Sequence, residues 1–278
     1  MHLKYIKPLL QRVFLVLIFL VVLGPFVWCG LISLQGTPEV NSSYALLLPR
    51  EFRLDNYLAV ITNSSVAQGF INSLMISLLS VAVNLLISIP AGFALARVKM
   101  PLTGAFLKVM LMFIFVPVLL LVLPVRDMMA AWGLRDSYWA VALPLSALVL
   151  TTMTFWTFYS KFPDEMDDCS ALMGMTPIQG FVHIYLPVSG KIAMYAAVMQ
   201  FVTTWNCAFM PMFMYRGPGG LITIQESLLQ FTINPSRIFL GMVAVIVACM
   251  PCWLLYLVRY KLGRNVEGSI AEPFRNSN

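Results

Sequence analysis

The chain has 278 residues, of which 60% are hydrophobic and only 11% charged, against roughly 25% charged in an ordinary soluble domain. That composition excludes a water-soluble enzyme of this length, which needs far more polar surface. The net charge of +6 calls for no nucleic-acid partner, because a basic rim on the cytoplasmic face of a membrane accounts for it.

Six apolar runs follow one another along the chain: Val13–Leu34, Phe70–Ala96, Gly104–Val125, Tyr138–Ser160, Val188–Tyr215 and Ile238–Val258. Each is about the 20 residues that a helix needs to cross a bilayer. The runs are continuous and lack the alternation of barrel strands. In lipid the backbone must satisfy itself, so these segments are expected to be helices. The expected architecture is an all-α integral membrane domain of six spans over residues 1–278, with no separate soluble part. Lys4, Lys7 and Arg12 before the first run give it the basic start of a signal peptide. The run exceeds the usual signal core and lacks a small-residue cleavage site, so it reads as an uncleaved helix.

The segments between the runs set the orientation. One side of the membrane collects Lys4, Lys7, Arg12, Arg97, Lys99, Lys108, Lys161, Lys191, Arg259, Lys261, Arg264 and Arg275. The other collects Arg50, Arg53, Arg126, Arg135, Arg216 and Arg237. Twelve against six predicts that both termini are cytoplasmic. The first external segment, about 35–69, holds Asn41-Ser42-Ser43 and Asn63-Ser64-Ser65, read as turns although they fit a glycosylation sequon. The longest cytoplasmic segment is 161–187.

Proline punctuates every span, at Pro25, Pro90, Pro117, Pro144, Pro211 and Pro251. Each removes a backbone donor and predicts a kink. No Asp or Glu falls in the centre of a span, whereas ion-coupled carriers keep such groups as relays. Asn84, Gln200 and Asn206 are the polar mid-span residues. Asn206 adjoins Trp205, and the pair is a candidate for the substrate path: the indole offers a stacking face and the amide paired hydrogen bonds. The alternative for Asn206 is a hydrogen-bonded bridge between helices.

A phosphate-binding loop is missing: Gly190-Lys191 is followed by Ile192 and lacks the upstream glycine. Arg216-Gly217-Pro218-Gly219-Gly220 reads as a flexible turn. Cys29, Cys207, Cys249 and Cys252 lie in apolar runs, and Cys169 in the 161–187 segment. The Cys249-Met250-Pro251-Cys252 spacing sits in a membrane helix and reads as packing. His2 and His183 have no metal-ligand set around them.

The 161–187 segment carries the most information. It runs Phe162-Pro-Asp-Glu-Met-Asp-Asp-Cys-Ser-Ala-Leu-Met-Gly-Met-Thr176, then Phe181-Val-His-Ile-Tyr-Leu-Pro187. An acidic start, a glycine and a terminal proline predict two short helices joined by a turn at Gly174. This resembles the EAA motif of ABC importer permeases, E-A-A-x-x-x-G followed by I-x-L-P. Asp168 stands at the Glu position, Cys169 and Ser170 at the two Ala positions, and Gly174 at the Gly. Ile184, Leu186 and Pro187 match the end, with Phe181 at a frequent Phe. Asp for Glu, Cys-Ser for Ala-Ala, and Met173 where an Asp usually precedes the Gly are departures in side chain, while the register holds. Leu54-Asp55-Asn56-Tyr57, Asn72-Ser73-Leu74, Ala94-Leu95-Ala96-Arg97, Gly133 to Trp139 and Trp205-Asn206 resemble further strings of the maltose-transporter-like branch, in order.

The resemblance implies a type I ABC importer transmembrane domain with a cytoplasmic coupling helix, in the inner membrane. It implies a second, different permease, two ATPase subunits and an external substrate-binding protein, with ATP and Mg held by the partner subunits and no cofactor on this chain. The chain would be no enzyme by itself, and its cargo a sugar, an oligosaccharide or a glycerol-phosphate compound. Asp168, Cys169, Ser170, Gly174, Met175, Phe181 and Pro187 would couple to the ATPase, with Met175, Ile178 and Phe181 inserting into it. A polyamine or other small-solute permease, and an ion-coupled carrier, stay open as alternatives.

Overall fold

A computed structural model describes residues 3–36, 49, 51–98, 101–147, 149–215, 220–232 and 238–263. Asn41-Ser42-Ser43, Arg50, Lys99, residues 216–219, Arg237, Arg264 and Arg275 lie outside them. Among the described residues every regular element is helical. The long helices are α1 (Leu3–Ser33), α3 (Ser64–Arg97) and α14 (Ile238–Gly263), with α2 (Asp55–Ile61) before α3. Two helix pairs follow α3: α4 (Thr103–Ile114) with α5 (Val118–Ala131), and α6 (Tyr138–Ser146) with α7 (Val149–Tyr159). Next come α8 (Glu165–Leu172), α9 (Pro177–Gly180), a π-helical stretch (Phe181–Tyr185) and α10 (Leu186–Val188). The remaining helices are α11 (Gly190–Trp205), α12 (Phe209–Met214) and α13 (Ile224–Thr232).

Three helices are long and apolar enough to cross a membrane, and up to six spans result if each bent pair is one span. The axes of Thr103–Ile114 and Leu119–Ala131 meet at 105°, those of α6 and α7 at 43°, and those of Pro177–Val188 and Gly190–Trp205 at 72°. The run read as one span over 104–125 is therefore broken at Phe115–Pro117. Pro117 lacks an N–H and forces Val116 out of helical geometry. The run read over 188–215 is likewise interrupted, at Asn206–Ala208 between α11 and α12. Pro90 and Pro251, in contrast, sit within unbroken helices.

The chain divides into two compact units. The first takes its described residues from Met1–Gly69 and Ile224–Met250. Here Asn56 donates from Nδ2 to the carbonyls of Ser33 and Gln35, both at 2.9 Å, and so satisfies orphan carbonyls at the end of α1. Tyr57 meets Ser33 Oγ at 2.8 Å. Asn63 caps α3, accepting from the amides of Ser65 and Val66 at 3.0 and 3.3 Å.

The second unit draws on Phe70–Thr223 and Pro251–Asn278. One cluster of its core joins Ile76, Val122, Met129, Val141 and Met214. A second is aromatic, around Phe93, Phe155, Tyr159 and Tyr185. Polarity is inverted relative to a soluble protein. Ser77, Ser80, Asn84 and Ser88 line the buried side of α3, while Leu78, Leu86 and Ile87 of the same helix face outward. This suits a chain whose solvent is hydrocarbon.

Candidate functional site

The sequence from Leu172 to Gln179 encodes two helix ends and the turn between them. α8 stops at Met173, and Gly174 follows at φ +73°. The Gly174 amide donates to Ala171 O at 2.9 Å and the Met175 amide to Ser170 O at 3.0 Å. This pair of bonds is a Schellman termination, which a residue at positive φ makes possible. Thr176 then starts α9: its Oγ1 accepts from the Gln179 amide, its own amide donates to Gln179 Oε1 at 2.8 Å, and Pro177 occupies the first turn. The acidic residues Glu165, Asp167 and Asp168 fall in the first turn of α8, where the helix dipole favours them. Ser170 faces Gly180 across the hairpin: a Cβ on Gly180 would lie 3.5 Å from Ser170 Oγ, so small residues set how closely the two helices approach.

One buried cation anchors this hairpin. The Arg97 side chain, 6% exposed, reaches Asp167 Oδ2 at 2.6 Å and Asp164 Oδ1 at 3.2 Å. It also donates to the carbonyls of Phe162 and Pro163 at 3.0 and 3.2 Å. Asp167 is shared, because its Oδ1 accepts from the Tyr185 hydroxyl at 2.6 Å. The guanidinium carbon lies 5.8 Å from the centre of the Tyr185 ring. Beside it is a groove of about 980 Å³ whose lining includes Arg97, Asp164, Asp168, Met175 and Tyr185.

The hairpin sorts its side chains by face. Met166, Phe181 and Ile184 pack into the aromatic cluster, with the Phe181 ring 4.8 Å from that of Phe93. Phe181 is half-buried, with one part of its ring packed within its own chain. Asp168, Cys169 and Gly174 are exposed, as is Pro187, while Ser170 and Met175 are half-buried. The apolar residues turned outward include Leu172 at 87% exposure, Met173 at 61% and Ile178 at 75%. Leu172, Asp167 and Tyr185 were not among the residues assigned a role in the sequence; Met173 entered only as a departure from the motif, and Arg97 only as a cytoplasmic charge and the end of a family string. The available signal was Arg97 ending an apolar run, beside a loop with three Asp residues among positions 164–168.

The mid-span polar residues behave differently. Trp205 is 1% exposed, its ring stacked on Phe201 at 5.5 Å and met edge-on by Phe70 at 5.3 Å. It offers no open face in this conformation. Asn206 is exposed and its Nδ2 donates to Val202 O of its own helix at 2.8 Å, so this bond bridges no helices. Asn84 and Gln200 do bridge. Asn84 Nδ2 donates to Ser146 O at 2.6 Å, and Gln200 Nε2 to Leu145 O at 2.8 Å and Ser80 Oγ at 2.6 Å. The two amides cap adjacent carbonyls at the α6–α7 break.

Comparison with known proteins places these features in a family. Residues 88–266 match the family described as "Binding-protein-dependent transport system inner membrane component". The sulfoquinovosyl glycerol transport system permease protein SmoH of Agrobacterium fabrum is 26% identical over 186 residues, 66% of this chain and 65% of that protein, just under two-thirds of its length. The diacetylchitobiose uptake system permease protein NgcG of Streptomyces coelicolor is 23% identical over 275 residues, 95% of this chain and 87% of that protein. In fold, the chain is similar to a chain of a bacterial ABC transporter involved in the import of the acidic polysaccharide alginate. The TM-score is 0.80 at 16% identity, covering 93% of this chain and 96% of that one. Since the family match runs from within α3 through the hairpin to beyond α14, over more than half of the sequence, the chain belongs to the binding-protein-dependent transport system inner membrane components, the permeases of ABC importers.

Proposed function

We propose that this permease carries a sugar or oligosaccharide, pairs with a second and different permease, and docks its 161–187 loop on one of two separate ATPase subunits. An external binding protein delivers the cargo, both termini are cytoplasmic, and ATP closes the ATPase dimer to open the spans outward. The names of the two relatives described above, which move a sugar-bearing glycerol and a chitin disaccharide, support the cargo class. The twelve-to-six charge asymmetry supports the orientation.

The observation that carries the docking role is the outward apolar end of the hairpin. Leu172, Met173 and Ile178 stand exposed around the Gly174 turn, next to exposed Asp168 and Cys169. An apolar tip outside the spans, held by two capped helix ends, is a surface made for a partner protein. Met175 and Ser170 of the same hairpin are half-buried, and Pro187 is exposed. Gly174→Asp should leave the chain inserted but reduce ATPase association or separate ATP turnover from uptake, and Asp168→Lys should act alike by reversing the docking charge. Subunit stoichiometry, ATP turnover and uptake, measured together on the complex in lipid, test this. Wild-type values for all three in Gly174→Asp would sink the docking assignment.

A further inference from the structure

We infer that Arg97 is the joint through which the docking loop and α3 move as one body, a positioning residue for coupling rather than a contact for ATPase or cargo. The inference rests on the docking role proposed above and adds the element that carries its force. Arg97 is the last residue of α3, the long helix that ends beside the loop. From this one position its guanidinium grips three successive parts of the loop. It bonds the Phe162 and Pro163 carbonyls just after α7, the Asp164 and Asp167 carboxylates at the start of α8, and it lies over Tyr185 in the π-helical stretch. Asp167 closes the ring by accepting from Tyr185. Both arms of the docking hairpin are thereby tied to one side chain.

Stability alone does not explain a buried charge here. Its partners lie open to solvent, Asp164 at 95% and Asp167 at 42% side-chain exposure, and ion pairs so exposed add at most about 1 kcal/mol, so the arrangement serves orientation more than stability. Arg97 Nε is buried with no hydrogen-bond partner among the described residues, so the site is not saturated for stability. The chemistry instead selects geometry. A planar fork with several fixed donors can hold two carboxylates and two carbonyls together, and a lysine ammonium cannot. Around Arg97 the groove of about 980 Å³ leaves room for α8 to swing once the grip is lost.

The test uses the whole transporter in lipid, with Glu165→Cys, exposed at the start of α8, as the sole thiol and a spin label on it; Cys29, Cys169, Cys207, Cys249 and Cys252 become Ser. Arg97→Lys keeps the charge and loses the fork. It should keep wild-type ATPase stoichiometry and hydrolyse ATP, while uptake per ATP falls about fivefold or more, the scale of an allosteric coupling term. The label should gain a mobile component. Adding Asp167→Asn to Arg97→Lys should cost less than Asp167→Asn costs in the wild type, since part of the shared contact is already gone. Wild-type uptake per ATP, an unchanged label spectrum, or additive losses in the double variant would each overturn the joint. If Arg97→Lys fails to accumulate, Tyr185→Phe carries the test: it should lower uptake per ATP, and a wild-type ratio there overturns the proposal. Failure of the docking role itself looks different, because Gly174→Asp would then keep wild-type stoichiometry, turnover and uptake whatever Arg97→Lys does.

Discussion

Gly174 sits at φ +73°, and a Cβ built on it meets no atom within 4 Å. Within the chain, then, the cost of a side chain there is conformational rather than steric, about 1 kcal/mol for a residue that avoids the left-handed region. Asn enters that region more readily than Ala. Gly174→Asn should therefore hold α8 closer to wild-type protection than Gly174→Ala does, measured by hydrogen exchange of the 165–176 amides in the isolated permease. The opposite order would show that side-chain bulk, and not backbone conformation, governs the turn. Asn206 makes the contrasting case. Its described side-chain bond is to its own helix and it is exposed, so Asn206→Ala should change stability by no more than about 0.5 kcal/mol. A shift in cargo preference in that variant would then report contact with the path, and an unchanged preference would remove Asn206 from it. The turn at Gly174 was legible because its causes are local: the Gly, Thr176 and Gln179 fall within six positions. The Arg97 joint was not, because its partners lie far along the chain and only folding brings them together. The packing of Trp205 was not legible for a similar reason, since nothing nearby in sequence announces that Phe70 reaches its ring.

Helices as units were readable to the extent that one apolar run makes one helix. α3 and α14 follow their runs, with α3 starting earlier, at Ser64, because Asn63 supplies a cap. Prolines were read as six equal kinks, and they are not equal. Pro117 coincides with the 105° bend, Pro144 lies just before the 43° bend, and Pro90 is absorbed within a continuous helix. At the α6–α7 break the amides of Asn84 and Gln200 take up Leu145 O and Ser146 O, so the bend is held by partners from other helices. Close packing between elements was invisible in the sequence. Gly92 of α3 lies against Phe155 and Trp156 of α7, and an added Cβ would collide with Phe155 Cβ and come within 2.8 Å of the Trp156 backbone nitrogen. Gly92→Ala should push the two helices apart and destabilise the permease by about 1–3 kcal/mol, the usual cost of overpacking. Thermal unfolding in detergent measures it, and an unchanged midpoint would mean that the helices part freely.

The arrangement of the entire chain in the bilayer turns on the α4–α5 pair. If the pair, bent at 105°, crosses as one broken span, the count is six and both termini share a side. If it enters and returns on the same side, the segment after α5 joins the side of Arg97, and the 161–187 loop falls opposite its ATPase. The Arg97–Asp167 contact at 2.6 Å holds the loop on the side of Arg97 and so favours crossing, and the charges agree. Lys108 lies on α4, whereas Arg126 and Arg135 lie toward and beyond the end of α5, so re-entry would gather them all on one face and erase much of the asymmetry. The break itself is compatible with crossing, because membrane helices tolerate unwound residues when neighbouring protein covers them. Two thiols separate the cases in living cells. Cys169 is native and exposed, and Arg135→Cys, made with the four remaining cysteines replaced, adds a second exposed position. A membrane-impermeant maleimide should label Arg135→Cys in spheroplasts, with the inner membrane intact and its outer face exposed, and reach Cys169 only in inverted vesicles or after permeabilisation. Labelling in the reverse pattern would make α4–α5 re-entrant. It would also withdraw the cytoplasmic assignment of the docking loop, and with it the coupling role assigned to Gly174 and Arg97.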